Sequence, residues 1–264
     1  MHSGIFKKYF NEIITHHNGL GRPDTIASVL KKLDCVSDCM VLHHYIVQNG
    51  DDSSLFLASH LLHCYLRWKY KEDGWAFFVN MHDRNVYSWN SLIAGYAQHS
   101  NGHEAMNCFQ KMQSEGLSPD RITYICILKA CGKTGSIEKG EKIHDEIVNK
   151  GLFMEKDIML NNALVDMYVK CGVLQKAQQL VDEHPDRNVI SWNSLISGYV
   201  QEEQYDEALN CFDRMQNEGH VPDMVTFTCI LNACGGKRAL EKGEQIHKEI
   251  VNSGLLDKEN IVLL

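Results

Sequence analysis

Two short motifs contain residue types that could support metal-dependent chemistry. Residues 144–146 read His-Asp-Glu and residues 247–249 read His-Lys-Glu, and both match the His-x-Glu pattern of zinc deaminases. In that chemistry the glutamate transfers protons, while the histidine and a Cys-x-x-Cys pair hold the zinc ion. The sequence contains no Cys-x-x-Cys pair. We therefore interpret both motifs as structural and predict no catalytic residues and no cofactor in this chain.

The cysteines and histidines offer a second candidate for metal binding. Cys35 and Cys39, followed by His43 and His44, have the spacing of ligands on successive turns of a helix. Because an isolated cluster of this kind is more often structural, we predict no metal site. The ten cysteines of this 264-residue chain do not indicate a disulfide scaffold, since such scaffolds are short and loop-rich. We interpret the thiols as reduced and the protein as intracellular.

Charge and hydropathy restrict the location and the partners of the chain. No window approaches about 18 uninterrupted apolar residues, so we predict no membrane-spanning helix. Residues 1–15 contain Lys7, Lys8 and Glu12 but no arginine, which matches neither an organellar presequence nor a secretory signal. The net charge of −8 at pH 7 is opposite in sign to that of most nucleic-acid-binding proteins, whose affinity depends on phosphate contacts.

An internal repeat organises most of the chain. Residues 85–93 read Asn-Val-Tyr-Ser-Trp-Asn-Ser-Leu-Ile, and residues 188–196 differ from them only by Ile190, at an offset of 103 residues. The offset divides further into units of 35, 37 and 31 residues. The predicted division is a partial helix at 1–22, a degenerate long repeat at 23–54, a short repeat at 55–85, a 35-residue repeat at 86–120, a long repeat at 121–157, a short repeat at 158–188, a 35-residue repeat at 189–223, a long repeat at 224–260, and the start of a truncated repeat at 261–264.

Each unit is predicted to form two antiparallel helices. In the unit 86–120, Trp89, Leu92 and Tyr96 recur at helical spacing, and Phe109 and Met112 form a second apolar stripe after a Ser-Asn-Gly break. One hairpin cannot bury its apolar face alone, so neighbouring units must stack on one another. The sequence therefore predicts an all-α fold, an α-solenoid of helix-turn-helix repeats.

The units resemble the pentatricopeptide repeat family, in the plant-type arrangement of 35-residue, long and short repeats. The resemblance rests on Ser-Trp-Asn-Ser-Leu-Ile-x-Gly-Tyr at 88–96 and 191–199, Ile-Leu-x-Ala-Cys at 127–131 and 230–234, and Asn-Ala-Leu-Val-Asp-Met-Tyr-Val-Lys-Cys-Gly at 162–172. It implies a right-handed solenoid that binds single-stranded RNA with about one base per repeat. It also implies a mitochondrial or chloroplast protein that acts on organellar RNA.

The same resemblance implies that two residues of each unit, the fifth and the last, read one base. The expected target is 5′-A-U-N-C-U-(A)-3′, in which N corresponds to the unit 121–157, because its fifth residue, Ile125, can neither donate nor accept a hydrogen bond. The pairs and their implied bases are Ser59/Asn85 for adenine, Asn90/Asp120 and Asn193/Asp223 for uracil, Asn162/Asn188 for cytosine, and Thr228/Asn260 for adenine.

Two alternatives concern the roles of these and the neighbouring charged residues. Asparagine and aspartate at the unit boundaries also suit the N-caps of the following helices. Arg67, Lys133 and Lys170, each at the thirteenth position of a unit, are predicted to lie near phosphates, but they also suit the negative end of a helix dipole. The acidic residues concentrate in the predicted second helices, and Asp166 is the only one in the first thirteen residues of the six repeats from residue 55 to residue 260.

Two further hypotheses concern the function as a whole. The chain is expected to be a fragment, since residues 261–264 look like the start of a further short repeat. It would then suit the address module of an RNA-editing factor whose deaminase lies on a missing segment or on a partner protein. A protein-binding scaffold of the tetratricopeptide kind is the second alternative. The acidic balance favours a scaffold, whereas the unequal 35, 37 and 31-residue periods disfavour it.

Overall fold

A computed structural model describes residues 23–33, 36–48, 55–67, 71–81, 84–98, 102–152 and 157–253 of the chain. The partial helix predicted at 1–22, the truncated repeat at 261–264, Cys35 and Asn260 lie outside the described residues, and so does the side chain of Arg67. None of the described helices is long and apolar enough to cross a membrane.

Within these ranges the chain forms α-helices and no β-strand, which confirms the all-helical prediction. The helices are α1 Pro23–Lys32, α2 Val36–Gln48, α3 Leu55–Arg67, α4 Lys71–Val79, α5 Val86–Gln98, α6 Gly102–Ser114, α7 Arg121–Thr134, α8 Ile137–Asn149, α9 Ile158–Lys170, α10 Leu174–Glu183, α11 Val189–Gln201, α12 Tyr205–Asn217, α13 Met224–Lys237 and α14 Leu240–Asn252. The odd-numbered helices from α3 onward each begin at the first residue of a repeat predicted from the sequence. We call these helices and α1 the first helices. We call the even-numbered helices the second helices.

The chain forms two compact units, residues 1–130 (unit 1) and residues 131–264 (unit 2). In unit 1 the first helix α3 packs between α1 and α5, and α5 also packs against its hairpin partner α6. Trp89 and Phe109 fill the core of this hairpin, and the ring of Phe78 meets the edge of the Trp89 indole at a centroid distance of 4.6 Å. First helices therefore lie side by side within the unit.

Unit 2 has the same arrangement. The first helix α11 packs between α9 and α13 and against its hairpin partner α12. Trp192 and Phe212 are completely buried here, at the positions that correspond to Trp89 and Phe109 in unit 1. The second helix α12 ends at Asn217, and Gly219 follows it with a φ of 83°, which lets the backbone N–H of His220 donate to the carbonyl oxygen of Met215. Pro222 follows and prevents the helix from continuing.

Glycine allows neighbouring first helices to approach closely. A Cβ atom at Gly198 of α11 would lie 2.6 Å from Cγ1 of Val169 and 2.9 Å from Cδ2 of Leu174. A Cβ atom at Gly95 of α5 would lie 2.5 Å from Cδ1 of Leu66. Both contacts are shorter than carbon atoms tolerate, so the glycines set the distance between consecutive first helices. Gly235 of α13 differs, because no heavy atom lies within 4 Å of its Cβ position.

These two glycines of unit 2 give a matched test of the packing. Gly198→Ala is expected to lower the free energy of unfolding by about 1–3 kcal/mol, because the added methyl group overpacks a close helix contact. Gly235→Ala is expected to leave it unchanged or to raise it by up to about 1 kcal/mol, because alanine favours the helix and meets no neighbour. Urea unfolding followed by circular dichroism measures both. Equal destabilisation by the two variants would contradict this account of the packing.

Candidate nucleic-acid interface

A hydrogen-bond network joins the predicted base-reading residues of unit 1. The Asn90 side chain on α5 is 5% exposed, and its Nδ2 donates to Oδ1 of Asp120 at 2.9 Å. Its Oδ1 accepts from the hydroxyl of Thr123, the third residue of α7, at 2.6 Å. The backbone N–H of Thr123 donates to Oδ1 of Asp120 at 2.8 Å. The fifth residue of the repeat 86–120 thus contacts the last residue of the same repeat and the first helix of the next repeat.

Unit 2 repeats this network with Asn193, Asp223 and Thr226. Nδ2 of Asn193, whose side chain is 8% exposed, donates to Oδ1 of Asp223 at 3.0 Å, and its Oδ1 accepts from the Thr226 hydroxyl at 2.6 Å. The backbone N–H of Thr226 donates to Oδ1 of Asp223 at 2.9 Å. The asparagine amides are therefore held in one orientation and almost covered, while the two aspartates are exposed.

The hydrogen-bond networks favour the ionised form of both aspartate carboxyls. Burial works to raise the pKa of Asp120 and of Asp223, but the hydrogen bonds they accept outweigh it and lower the pKa of both below the ordinary value. These hydrogen bonds come from the threonine backbone, the asparagine amide and the threonine hydroxyl. An ionised carboxylate only accepts hydrogen bonds.

The short-repeat pair of unit 2 is held more loosely. Nδ2 of Asn162 lies 3.4 Å from Oδ1 of Asn188, a long hydrogen bond. The buried Oδ1 of Asn162 has no hydrogen-bond partner among the described residues. The residue as a whole is half-buried on α9, whereas Asn193 is buried on α11, but the amide oxygen of Asn162 is covered.

The remaining predicted readers are placed differently. Ser59 is buried on α3, and Asn85 caps α5 by accepting the backbone N–H of Ser88 at 3.0 Å. Thr228 is exposed on α13, and its hydroxyl donates to the carbonyl oxygen of Met224 in the same helix at 2.7 Å. The hydroxyl of Thr228 is thus partly engaged by its own backbone, and its predicted partner Asn260 lies outside the described residues.

The capping role considered for the last residues is present in the structure. Each described last residue accepts the backbone N–H of the third residue of the following helix, which satisfies one of the amides that a helix start leaves unpaired. These residues are Asn85, Asp120, Asp157, Asn188 and Asp223. In the two asparagine–aspartate pairs, one carboxylate oxygen both caps the helix and binds the amide. Capping therefore positions these residues and leaves base reading open to them.

The basic residues predicted near phosphates are only partly available. Nζ of Lys170 binds Oδ2 of Asp166 on the same helix at 2.6 Å, so a neighbouring carboxylate compensates its charge. Lys133 is exposed at the end of α7.

Three acidic residues on the second helices of unit 2 form ion pairs with basic residues of the next second helix. These pairs are Glu141 with Lys176 at 2.5 Å, Asp182 with Arg214, and Asp213 with Lys242 at 2.9 Å.

Sequence reasoning missed a row of exposed apolar side chains on the first helices. The second residue of every unit from α3 onward is a large apolar residue that is 43% to 60% exposed. These residues are Phe56, Tyr87, Ile122, Met159, Ile190 and Val225. The sequence did contain a signal for this row: the second residue of each repeat is apolar although it lies outside the apolar stripe of its helix. Side chains of this kind can contact the faces of nucleobases.

The histidine of the 144–146 motif contacts a tyrosine of the next first helix. Nδ1 of His144 lies 2.9 Å from the hydroxyl of Tyr168, and burial lowers the pKa of this histidine. The cysteines Cys108 and Cys211, which correspond to each other in the repeat, are buried, and burial raises the pKa of both thiols to about 12. Both thiols are therefore protonated at neutral pH and serve as small apolar residues of the core.

Models of known families match two stretches of the chain. A model described as the PPR repeat family matches residues 84–133 and 187–236, and a model described as the PPR repeat matches residues 122–152 and 225–255. Together these matches cover more than half of the chain.

Several curated proteins of Arabidopsis thaliana resemble the chain. A mitochondrial pentatricopeptide repeat-containing protein is 33% identical over 88% of this chain and 23% of its own length. A second mitochondrial one is 35% identical over 83% of this chain and 34% of its own length. A chloroplastic one is 36% identical over 81% of this chain and 26% of its own length. The chain thus spans about a quarter to a third of the relatives it matches here.

Among solved structures, the chain resembles the crystal structure of the pentatricopeptide repeat protein PPR10 from maize. The match has a TM-score of 0.67 and 15% sequence identity, and it covers 96% of this chain and 40% of that chain. At this identity the likeness shows the fold, a helical solenoid.

The network around Asp223 predicts a measurable titration. NMR titration of its carboxyl should give a midpoint below 3.8, and Asn193→Ala should raise that midpoint, because the variant removes one hydrogen bond to the carboxylate. A lowered pKa in the folded state stabilises the fold above the unfolded pKa, and this stabilisation is lost as the pH falls through the folded pKa. Ser194→Ala, beside Asn193, is the control and should leave the midpoint unchanged. A midpoint unaffected by Asn193→Ala would show that the amide does not bind the carboxylate in solution.

Proposed function

Because the chain belongs to the pentatricopeptide repeat family, we propose that it binds single-stranded RNA and reads the element 5′-A-U-N-C-U-3′. The observation that carries this proposal is the pairing of a fixed amide with an exposed, ionised carboxylate in Asn90/Asp120 and again in Asn193/Asp223. Successive pairs along the chain read successive bases.

The chemistry of the pairs supports the choice between uracil and cytosine. Uracil carries a hydrogen on N3, whereas N3 of cytosine is an acceptor. The ionised carboxylates of Asp120 and Asp223 accept hydrogen bonds only, so they favour the N3–H of uracil directly or through a water molecule. Asn188 has an amide in the same place, which can donate to N3 of cytosine. The low pKa of the two aspartates keeps them in the form that makes this distinction.

The exposed apolar residues at the second positions supply the second part of binding. Phe56 and Tyr87 in unit 1 offer aromatic faces, and Met159 and Ile190 in unit 2 offer aliphatic ones. Contact with such side chains stabilises an unstacked base whatever its identity, and the amide and carboxylate groups then select among the bases. This division of labour suits a protein with net charge −8, because its affinity depends less on phosphate contacts.

The cellular context is also part of the proposal. The mitochondrial and chloroplastic relatives in Arabidopsis thaliana favour an organellar protein. Processing of organellar RNA, or recognition of an editing site for a deaminase that acts in trans, is the role we assign. A protein-binding scaffold is the rival function, because the exposed apolar side chains and the acidic balance also suit a protein ligand.

Exchange of the aspartates tests base reading directly. Asp120→Asn and Asp223→Asn should each move the preference at one position of the RNA from uracil to cytosine, by roughly fivefold to a hundredfold, the range of one good side-chain–base contact. Both variants keep an efficient N-cap, so the fold is preserved. Competition binding with oligomers that carry uracil or cytosine at that position measures the change.

Asp186→Asn, an exposed change in a turn of unit 2, is the matched control and should leave the preference unaltered. A tight complex whose preference does not change in either aspartate variant would refute the reading of bases by these pairs. Failure of the wild-type chain to bind any RNA at low salt would favour the scaffold.

The apolar row gives an independent test. The double variant Ile122→Ala, Ile190→Ala should weaken RNA binding by roughly fivefold or more for each base affected, with no change in sequence preference. Val148→Ala, Val251→Ala is the matched control, since these valines have similar exposure but lie on the second helices α8 and α14. Both double variants should unfold like the wild type, because the residues are exposed. Equal affinities for RNA would contradict the proposed contact.

A further inference from the structure

The third residue of a first helix contacts the fifth residue of the preceding repeat in two places. The Thr123 hydroxyl donates to Oδ1 of Asn90 at 2.6 Å, and the Thr226 hydroxyl donates to Oδ1 of Asn193 at 2.6 Å. Both threonines are completely buried, so a base cannot contact them. Any effect that they have on base recognition therefore acts through the asparagine amide.

Serine at the same position makes a different contact. The Ser191 hydroxyl donates to the backbone carbonyl oxygen of Asn188 at 2.8 Å, and the Ser88 hydroxyl donates to that of Asn85 at 2.9 Å. Oδ1 of Asn162, the fifth residue of the repeat before Ser191, has no hydrogen-bond partner among the described residues. The direction of the hydroxyl thus follows the residue type, threonine in two helices and serine in two others.

The threonine contact limits what the amide can offer to a base. A primary amide has one acceptor oxygen and two N–H donors. In Asn193 the oxygen accepts from Thr226 and one N–H donates to Asp223, so the second N–H is the group that remains for a base. Turning the amide over would set its oxygen against the Asp223 carboxylate, and two acceptors would then face each other. The amide is therefore fixed as a donor.

We propose that Thr123 and Thr226 are positioning residues that make the preceding repeat select uracil over cytosine. Uracil carries a carbonyl acceptor at C4, as thymine does, whereas cytosine carries an amino donor there, so an amide fixed as a donor suits uracil.

With serine at this position, the Asn162 amide keeps an unengaged oxygen, which suits the amino group of cytosine once the amide turns. The hydrogen bond to Asn188 that opposes this turn is long, at 3.4 Å. Base selection then depends on three residues that span two consecutive repeats. This inference rests on the proposed RNA binding and deepens it by adding a residue that decides between two bases.

Removal of two buried hydroxyls gives a matched pair of variants. Thr226→Val and Ser191→Ala each delete a hydroxyl that accepts the backbone N–H of the capping residue at 3.1 Å, so both lose the same capping contact. Thr226→Val should lower the preference for uracil over cytosine at the base read by Asn193 roughly twofold to tenfold, the range of one hydrogen bond. Ser191→Ala should leave the preference at the base read by Asn162 unchanged. Competition binding with oligomers that differ at one base measures both.

NMR relaxation of the side-chain NH2 groups tests the positioning without RNA. The Asn193 group should be more rigid than that of Asn162, and it should gain mobility in Thr226→Val but not in Ser191→Ala. An Asn193 amide that stays equally rigid in Thr226→Val would overturn the positioning role. So would a full preference for uracil in that variant. If the wild-type chain binds no RNA while the amide behaves as expected, the proposed function fails and the positioning of the amide stands.

Discussion

In both compact units, a hydrogen bond joins a nearly covered asparagine amide to the exposed carboxylate that caps the next first helix, and the rest of the packing depends on it. Asn90 is tied in this way to Asp120, and the Thr123 hydroxyl completes the arrangement from within α7. An amide at this depth is costly unless its donor and acceptor are both satisfied. The network satisfies them only when consecutive first helices keep one register. Helix capping, alignment of the repeats and presentation of the carboxylate are therefore consequences of one set of contacts.

Close packing imposes the same register from the apolar side. Gly95 packs against Leu66 and Gly198 packs against Val169, so closely that a methyl group at either glycine would overlap the neighbouring side chain. The polar network fixes the axial position of α7 against α5 and of α13 against α11. The glycine contacts fix the separation of α5 and of α11 from the preceding first helix. With both held, the second residues of the units project from the first helices as exposed apolar side chains. Ion pairs such as Lys176–Glu141 meanwhile engage acidic residues on the second helices.

The sequence predicted the hairpins well, because the pattern around Trp89 and Trp192 repeats almost exactly and apolar spacing determines which helix face is buried. It could not show that Asn90 and Asn193 are nearly covered. That depends on a threonine hydroxyl 33 residues away, which local spacing does not reveal. The Lys170–Asp166 pair was readable in principle from its four-residue spacing, yet we predicted a phosphate contact for this lysine. The exposed apolar row was also present in the sequence, but solvent exposure requires knowledge of how neighbouring helices pack.

The central claim is that the asparagine–aspartate pairs contact uracil. The most direct measurement follows the side-chain amide NMR signals of Asn90 and Asn193 during titration with 5′-A-U-N-C-U-3′, and with an oligomer in which both uracils are cytosines. The account predicts that both signals shift with the first oligomer and shift far less with the second. Signals that stay in place while the RNA binds, or that respond equally to both oligomers, would contradict it.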